Sequence, residues 1–425
     1  MVEGLIINGN KRLDGKIKIQ GSKNSSLPIL ASSLLSGGEC VIHNCPELSD
    51  VKAASDILRY LGCKVKREGN TLITDSSSVT RWDIPEHLMH EMRSSIVFLG
   101  AVLSRMGKAE LYTPGGCEIG LRPIDLHLSS LRALGARIDE KSGRLDAETN
   151  GSFKGRNITL AFPSVGATEN IIIAAAVSDG VTNIFNPARE PEITDTVNFL
   201  NACGAKIKIN SDSTITVCGV KKLHGCEYTV IPDRIAAATY LCAAAAVGGD
   251  VLLENTVPDH LKAVLSVFEQ SGCRIDIDKD NIRIRKRGRL SCVKTIRTMP
   301  YPGFPTDAQA PVMAALCLAN GTSVIVENIF ESRFKHIPCL IKMGADIKTE
   351  GRAAVVSGVS ELFGANVGAT DLRGGGALVV AALAAKGKST VCGLGHIDRG
   401  YENIENNLKI LGADIRRSEY EGKRK

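Results

Sequence analysis

Basic side chains recur at one kind of place along this chain, directly before or at the start of an apolar, Ala-rich stretch. Lys23 stands in Gln20-Gly21-Ser22-Lys23-Asn24-Ser25-Ser26-Leu27-Pro28, and Arg93 shortly precedes the run from Ser95 to Leu103. Arg234 follows Pro232-Asp233, and Arg373 sits in Asp371-Leu372-Arg373-Gly374-Gly375-Gly376. If these stretches are helices, their first backbone N–H groups and their dipoles already favour an anion, and a cation adds full charge. Guanidinium forks hold carboxylates and phosphates through two bonds at once, so several such starts suit a ligand that carries both groups. The bland reading of Lys23 is a solvated lysine beside an N-cap, and Asp233 and Asp371 offer capping or ion pairing to their arginine neighbours.

Three further segments carry reactive side chains. The first is Thr113-Pro114-Gly115-Gly116-Cys117-Glu118-Ile119-Gly120-Leu121-Arg122-Pro123-Ile124-Asp125, whose three glycines predict a mobile loop. A cysteine is ordinarily a small buried apolar residue, but Cys117 lies in a polar loop near Arg122, a setting that lowers a thiol pKa and makes it the reactive candidate among thirteen. The second is Pro300-Tyr301-Pro302-Gly303-Phe304-Pro305-Thr306-Asp307-Ala308-Gln309, in which prolines stiffen the approach to a helix start. By position alone Asp307 reads as an N-cap, with a catalytic carboxylate as the alternative. The third is the charged turn His396-Ile397-Asp398-Arg399-Gly400-Tyr401-Glu402.

These residues have to be positioned by something, and the chain supplies it through repetition. One phrase returns six times at intervals of roughly 70 residues, as Leu61-Gly62-Cys63-Lys64-Val65, Leu134-Gly135-Ala136-Arg137-Ile138 and Cys203-Gly204-Ala205-Lys206-Ile207, then around Gly272, Gly344 and Gly412. Before each glycine an amphipathic stretch such as Val51 to Leu61, Leu126 to Leu134 or Glu402 to Leu411 predicts a helix, which a left-handed glycine cap would end. Alternating residues after it, such as Lys206-Ile207-Lys208-Ile209, predict a strand. Upstream in every repeat an apolar segment predicts a helix buried on all sides: Leu27 to Leu35, Ser95 to Leu103, Ile171 to Val177, Ile235 to Val247, Val312 to Leu318 and Ala377 to Ala385. Repeats of this length are too large for thin solenoid layers, and 425 residues exceed what one core accommodates. Two domains of three repeats, with a ligand cleft between them, are the natural division.

Composition narrows the function. The 44% apolar and 23% charged residues are those of an ordinary globular chain, and the apolar runs stop short of a bilayer span, so a soluble cytoplasmic protein without a membrane segment is expected. Thirteen cysteines without a CxxC pair or a ligand-like His spacing predict reduced thiols. His87, His90 and Glu91 differ in order and spacing from HExxH, and no metal is expected. Aromatics at 4% leave little to stack nucleic-acid bases on, and a net charge of +6 fits small anionic ligands better. The absence of a Walker loop, a GxGxxG turn and a GxSxG elbow removes the usual support for nucleotide hydrolysis, dinucleotide redox and serine hydrolase chemistry.

Taken together, Gly21-Ser22-Lys23-Asn24, Pro114-Gly115-Gly116-Cys117-Glu118-Ile119-Gly120, Arg122-Pro123-Ile124-Asp125-Leu126, Phe304-Pro305-Thr306-Asp307, Glu331-Ser332-Arg333-Phe334, Asp371-Leu372-Arg373 and His396-Ile397-Asp398-Arg399-Gly400 closely resemble the UDP-N-acetylglucosamine enolpyruvyl transferase family, from Ile6 to Arg416. The resemblance implies a mixed α/β (α+β) fold of the EPSP synthase-like kind. This is a two-domain inverse αβ barrel, or prism, made of six βαβαββ-type repeats. It implies residues 23–230 as the domain carrying the Cys117 loop and 1–22 with 231–425 as the other. It also implies transfer of enolpyruvate from phosphoenolpyruvate to the 3′-hydroxyl of UDP-N-acetylglucosamine, the first committed step of peptidoglycan synthesis, by a monomer without a cofactor. Carried over by position, Lys23, Arg122 and Arg399 would hold phosphoenolpyruvate, with Asn24, Arg93, Arg333 and Arg373 completing the site. Asp307 would take the sugar hydroxyl proton, and Cys117 would be the general acid and the target of fosfomycin. Arg122, Pro123, Ile124, Asp125 and Leu126 with Ser164, Val165 and Gly166 would cradle the nucleotide, while Asn24, Arg93, Asp307 and Ile329 would touch the sugar substrate.

Two departures stand out, Ala236-Ala237-Ala238 after Arg234 and Gly374-Gly375-Gly376 at the last buried helix, and both are expected to loosen packing or alter closure. The alternatives are transfer to shikimate phosphate by the sister enzyme of the same fold, which lacks the cysteine loop, and a non-catalytic paralogue that binds the sugar nucleotide.

Overall fold

The computed structural model of the chain describes residues 2–114 and 124–420. Six helices are buried almost all round: α1 (Lys23–Ser33), α2 (Phe98–Met106), α3 (Val165–Ala176), α4 (Arg234–Val247), α5 (Thr306–Leu316) and α6 (Leu372–Ala384). Most start earlier than apolar periodicity predicts, because their first turn is polar and carries the site residues. Ser22, Ser164, Asp233 and Asp371 cap α1, α3, α4 and α6 by accepting backbone N–H bonds, each worth about 1 kcal/mol.

The described strands form six sheets, five of four strands and one of three. In a typical repeat Asn157–Thr159 leads into α3, which returns the chain as the parallel strand Val181–Phe185. The amphipathic helix Pro191–Ala202 follows, and the antiparallel pair Lys206–Ile209 and Ile215–Cys218 completes the sheet. Gly62 closes its helix at φ 105°, and the other five phrase glycines are also left-handed, from 83° at Gly272 to 111° at Gly135. A side chain is strained in that conformation, which accounts for the recurrence of glycine.

Strand exchange ties the repeats together. Leu13–Lys18 pairs in parallel with Gly249–Glu254, although the chain goes on from it into α1. Glu227–Thr229 pairs with Glu39–His43, although the chain goes on from it into α4. Val2–Asn8 lies between Lys388–Cys392 and Asp414–Tyr420, supplying the last sheet with its fourth strand.

Within the described residues the chain gathers into two compact units, one running through Gln20 and resuming at Pro232, the other from Gly21 to Ile231. Each has its own apolar core. In one, α4, α5 and α6 pack on each other, and in the other α2 packs on α1 and α3. Ala236, Ala237 and Ala238 lie fully buried in the first of these cores.

The three glycines of α6 do not loosen packing, contrary to expectation. A Cβ on Gly375 would meet Ile397 Cγ1 at 2.7 Å, and one on Gly376 would meet Tyr401 Oη at 2.5 Å. Glycine is what lets the turn that carries Arg399 approach α6. No described helix is long and apolar enough to cross a membrane.

Candidate active site

In the unit built on α4, α5 and α6, Asp307 is the centre of a charged cluster. It occupies the second position of α5, behind Pro305 at the cap, so the N-cap reading is corrected. Its carboxylate is turned instead to two arginines, Oδ1 to Arg333 and Oδ2 to Nη2 of Arg373 at 3.0 Å. Both arginine side chains are only 3% exposed. Burial works against the charge on Arg373, and Asp307, Tyr401 and Asp233 together outweigh it and push its pKa up. Two buried guanidiniums facing one carboxylate leave a net positive charge, which suits an anionic ligand.

Among the supporting groups the cap by Asp371 was legible from sequence, and the roles of Glu327, Thr239 and His336 were not. Glu327, almost fully buried, accepts from the Thr298 and Thr306 hydroxyls at 3.0 and 2.9 Å and from the backbone N–H of Ile329 and Phe330 at 2.9 and 3.0 Å. It thereby fixes the Ile329 turn to the start of α5. Asp371 accepts from the N–H groups of Arg373 and Gly374, and the Tyr401 ring lies 5.7 Å from the Arg373 guanidinium. Tyr401 meets the Thr239 hydroxyl at 2.9 Å, linking α6 to α4. His336, buried beside Arg333 and Asp371, is pushed down to about 4, chiefly by burial, and is neutral near pH 7.

Arg399 lies half-buried in the turn after Leu394–Ile397. Gln20 clasps that turn, donating to Gly400 O at 3.1 Å and accepting from Glu402 N at 2.8 Å. Arg234, at the start of α4, faces the Tyr301 ring at 5.7 Å beside a cavity of about 270 Å³.

In the other unit Lys23 is the first residue of α1, and the solvated-lysine reading fails. The side chain is 10% exposed, and Nζ lies 3.1 Å from Asp50 Oδ2. Asn24 follows, half-buried. Arg93 opens a short 3-10 turn, Arg93–Val97, and donates to Pro114 O at 3.2 Å, at the last described residue before the cysteine loop. Cys117, Arg122 and Pro123 lie outside the described residues.

Ile124 caps the helix Asp125–Ala133, which starts with Asp125 and Leu126, and Ser164 caps α3 ahead of Val165 and Gly166. Between these two helices sits His127, which sequence reading passed over. Asn170 Nδ2 donates to His127 Nδ1 at 2.7 Å and to Ile96 O at 3.0 Å, while Asn170 Oδ1 accepts from Gly100 N at 2.9 Å. An amide nitrogen can only donate here, so His127 accepts and is neutral. Burial, then Arg93, holds its pKa down at about 4. A Cβ on Gly166 would meet the ring at 2.8 Å, so the glycine allows the imidazole to brace the Ser164–Gly166 turn.

A family model described as EPSP synthase (3-phosphoshikimate 1-carboxyvinyltransferase) matches residues 7–408. The chain belongs to this family. Within it, the chain is 50% identical over 409 residues to UDP-N-acetylglucosamine 1-carboxyvinyltransferase 2 of Caldanaerobacter subterraneus, covering 96% of this chain and 98% of that protein. It is 45% identical to UDP-N-acetylglucosamine 1-carboxyvinyltransferase of Finegoldia magna, over 99% of this chain and 100% of that one. Among solved structures the enolpyruvyl transferase NikO from Streptomyces tendae matches with a TM-score of 0.88 at 26% identity, over 98% of this chain and 99% of that one. EPSP synthase from Acinetobacter baumannii, 20% identical with a TM-score of 0.76 over 99% and 100% of the two chains, shares the fold. The EPSP synthase-like fold that the resemblance implied is therefore the fold of this family member.

Proposed function

We propose that this chain transfers the enolpyruvyl group of phosphoenolpyruvate to the 3′-hydroxyl of UDP-N-acetylglucosamine and releases phosphate. It would act in the cytoplasm as a monomer, at the entry to peptidoglycan synthesis, where cell shape and division depend on it. The observation that carries the reading is Asp307 held between Arg333 and Arg373, a carboxylate fixed among cations at the start of α5. The names of the relatives at 45–50% identity favour the sugar nucleotide over shikimate phosphate as acceptor.

The reaction adds the sugar oxygen to the carbon that bears the phosphate and a proton to the methylene carbon, and the tetrahedral intermediate then loses phosphate together with a proton from the new methyl group, which restores the enol double bond. Asp307 takes the hydroxyl proton, and Cys117 supplies the proton to carbon and forms a covalent adduct when it attacks in place of the sugar. Lys23, Arg122 and Arg399 hold the phosphate and carboxylate, and Asn24, Arg93, Arg333 and Arg373 complete the cationic lining, so that charge developing on the intermediate meets preorganised partners. Ile124, Asp125 and Leu126 with Ser164, Val165 and Gly166 carry the nucleotide, Asp307 and Ile329 carry the sugar, and Arg122 and Pro123 belong with the first group.

Phosphate release from phosphoenolpyruvate, assayed with UDP-N-acetylglucosamine and with shikimate phosphate, each with and without fosfomycin, tests acceptor, chemistry and thiol together. Turnover with shikimate phosphate alone, or tight sugar-nucleotide binding without phosphate release, would overturn the reading.

A further inference from the structure

Three cysteines distant in sequence, Cys40, Cys203 and Cys226, bring their sulfurs within 4.8 Å of one another. Each comes from a different element of the unit built on α1, α2 and α3. Cys40 is in the strand Glu39–His43, Cys203 follows the helix Pro191–Ala202 as its C-cap, and Cys226 directly precedes Glu227–Thr229, the strand parallel to Glu39–His43. The Cys203 and Cys226 sulfurs are 3.3 Å apart. Cys40 and Cys203 are closed off from solvent, and Cys226 is half-buried, which leaves one way in.

We propose that Cys40, Cys203 and Cys226 form a three-sulfur site for a soft monovalent d10 metal ion of the copper(I) class. Thiolate sulfur selects soft ions, and structural zinc takes four donors. Among the described residues no fourth His, Cys, Asp or Glu joins the set, and three converging sulfurs match the trigonal geometry that copper(I) accepts. A disulfide would use two of these sulfurs and leave the third without a role. Each new sulfur–metal bond replaces an S–H bond, the displaced protons pass to solvent, and no electron moves. The bound ion would tie a strand, a helix end and a strand entry into one staple, so binding adds to the stability of this unit. Spacing along the chain hides the set, because folding alone brings its members together.

The test uses the full-length, reduced chain carrying C117S, so that the loop thiol contributes nothing, and copper(I) delivered from a competing chromogenic chelator. One equivalent should be taken from the chelator, with ultraviolet thiolate-to-copper charge-transfer absorption and a raised Tm. Adding C226S should remove that equivalent and the Tm shift, whereas C218S, in another half-buried cysteine, should keep both. Equal retention in the two variants, no retention in the parent, or displacement of the copper by equimolar zinc would overturn the site. X-ray absorption of the parent complex decides the matter independently of how C226S folds. Three sulfur neighbours support the site, and any other count, or a nitrogen neighbour, overturns it.

Discussion

Asp307 Oδ2 lies 3.0 Å from Arg373 Nη2 at the first turns of two different buried helices, with Arg333 on the other carboxylate oxygen. The pair holds the carboxylate in one orientation, which a positioned base needs and a mere cap does not. Asp307→Ala should lower turnover by about 10²- to 10⁴-fold. It should also lower stability by up to about 3–5 kcal/mol, because two buried guanidiniums lose their counter-charge. Asp307→Asn keeps the shape and should lose turnover with a smaller stability cost. A near-normal turnover number in Asp307→Asn would remove this residue from the chemistry.

Cys117→Asp should keep part of the transfer activity, since a carboxylic acid also donates a proton, and should resist alkylation by fosfomycin. Mass spectrometry of the treated variant checks this directly. A drug adduct on the variant equal to that on the parent would place the target elsewhere.

The division of labour between these residues shows how far the sequence could be read. Gly62 and its five counterparts announce their helix ends because a left-handed cap tolerates almost nothing else, so the sixfold repeat follows from one recurring glycine. Lys23, Arg93, Arg234 and Arg373 were legible because charge at the start of an apolar run is locally out of place. Glu327, His127, Asn170 and Gln20 were not. Each is an ordinary polar residue in its own segment and acquires meaning only through partners such as Thr298, Ile96 or Gly400 that folding brings to it. Gly374–Gly376 misled for the same reason, since the close approach of Ile397 and Tyr401 is a tertiary fact.

Lys23 Nζ stands 3.1 Å from Asp50 Oδ2, with both side chains at most 10% exposed. Asp50 is a positioning residue: it aims the ammonium and restrains a flexible four-carbon stem. Asp50→Asn should raise the KM for phosphoenolpyruvate by about tenfold, equivalent to roughly 1.4 kcal/mol, with a smaller change in kcat. Lys23→Gln should abolish turnover at any accessible substrate concentration. Steady-state kinetics decide the point, and a fall in kcat at unchanged KM for Asp50→Asn would contradict a positioning role.

His127 adds acid sensitivity to its unit. Its folded pKa of about 4 lies below the ordinary value near 6.5, because burial and then Arg93 disfavour the imidazolium. Below pH 6.5 the unfolded chain takes up a proton that the folded chain refuses, so the stability contribution is complete above pH 6.5 and drains away as pH falls towards 4. His336, also pushed down to about 4, acts in the same window within the other unit. His127→Asn keeps an acceptor for Asn170 Nδ2 but cannot titrate, and it should flatten the fall in Tm between pH 6.5 and 4 by the equivalent of up to about 3 kcal/mol. Thermal unfolding of parent and variant at half-unit pH steps measures the difference. Two parallel curves across that window would mean that the imidazole does not supply the acid sensitivity of this unit.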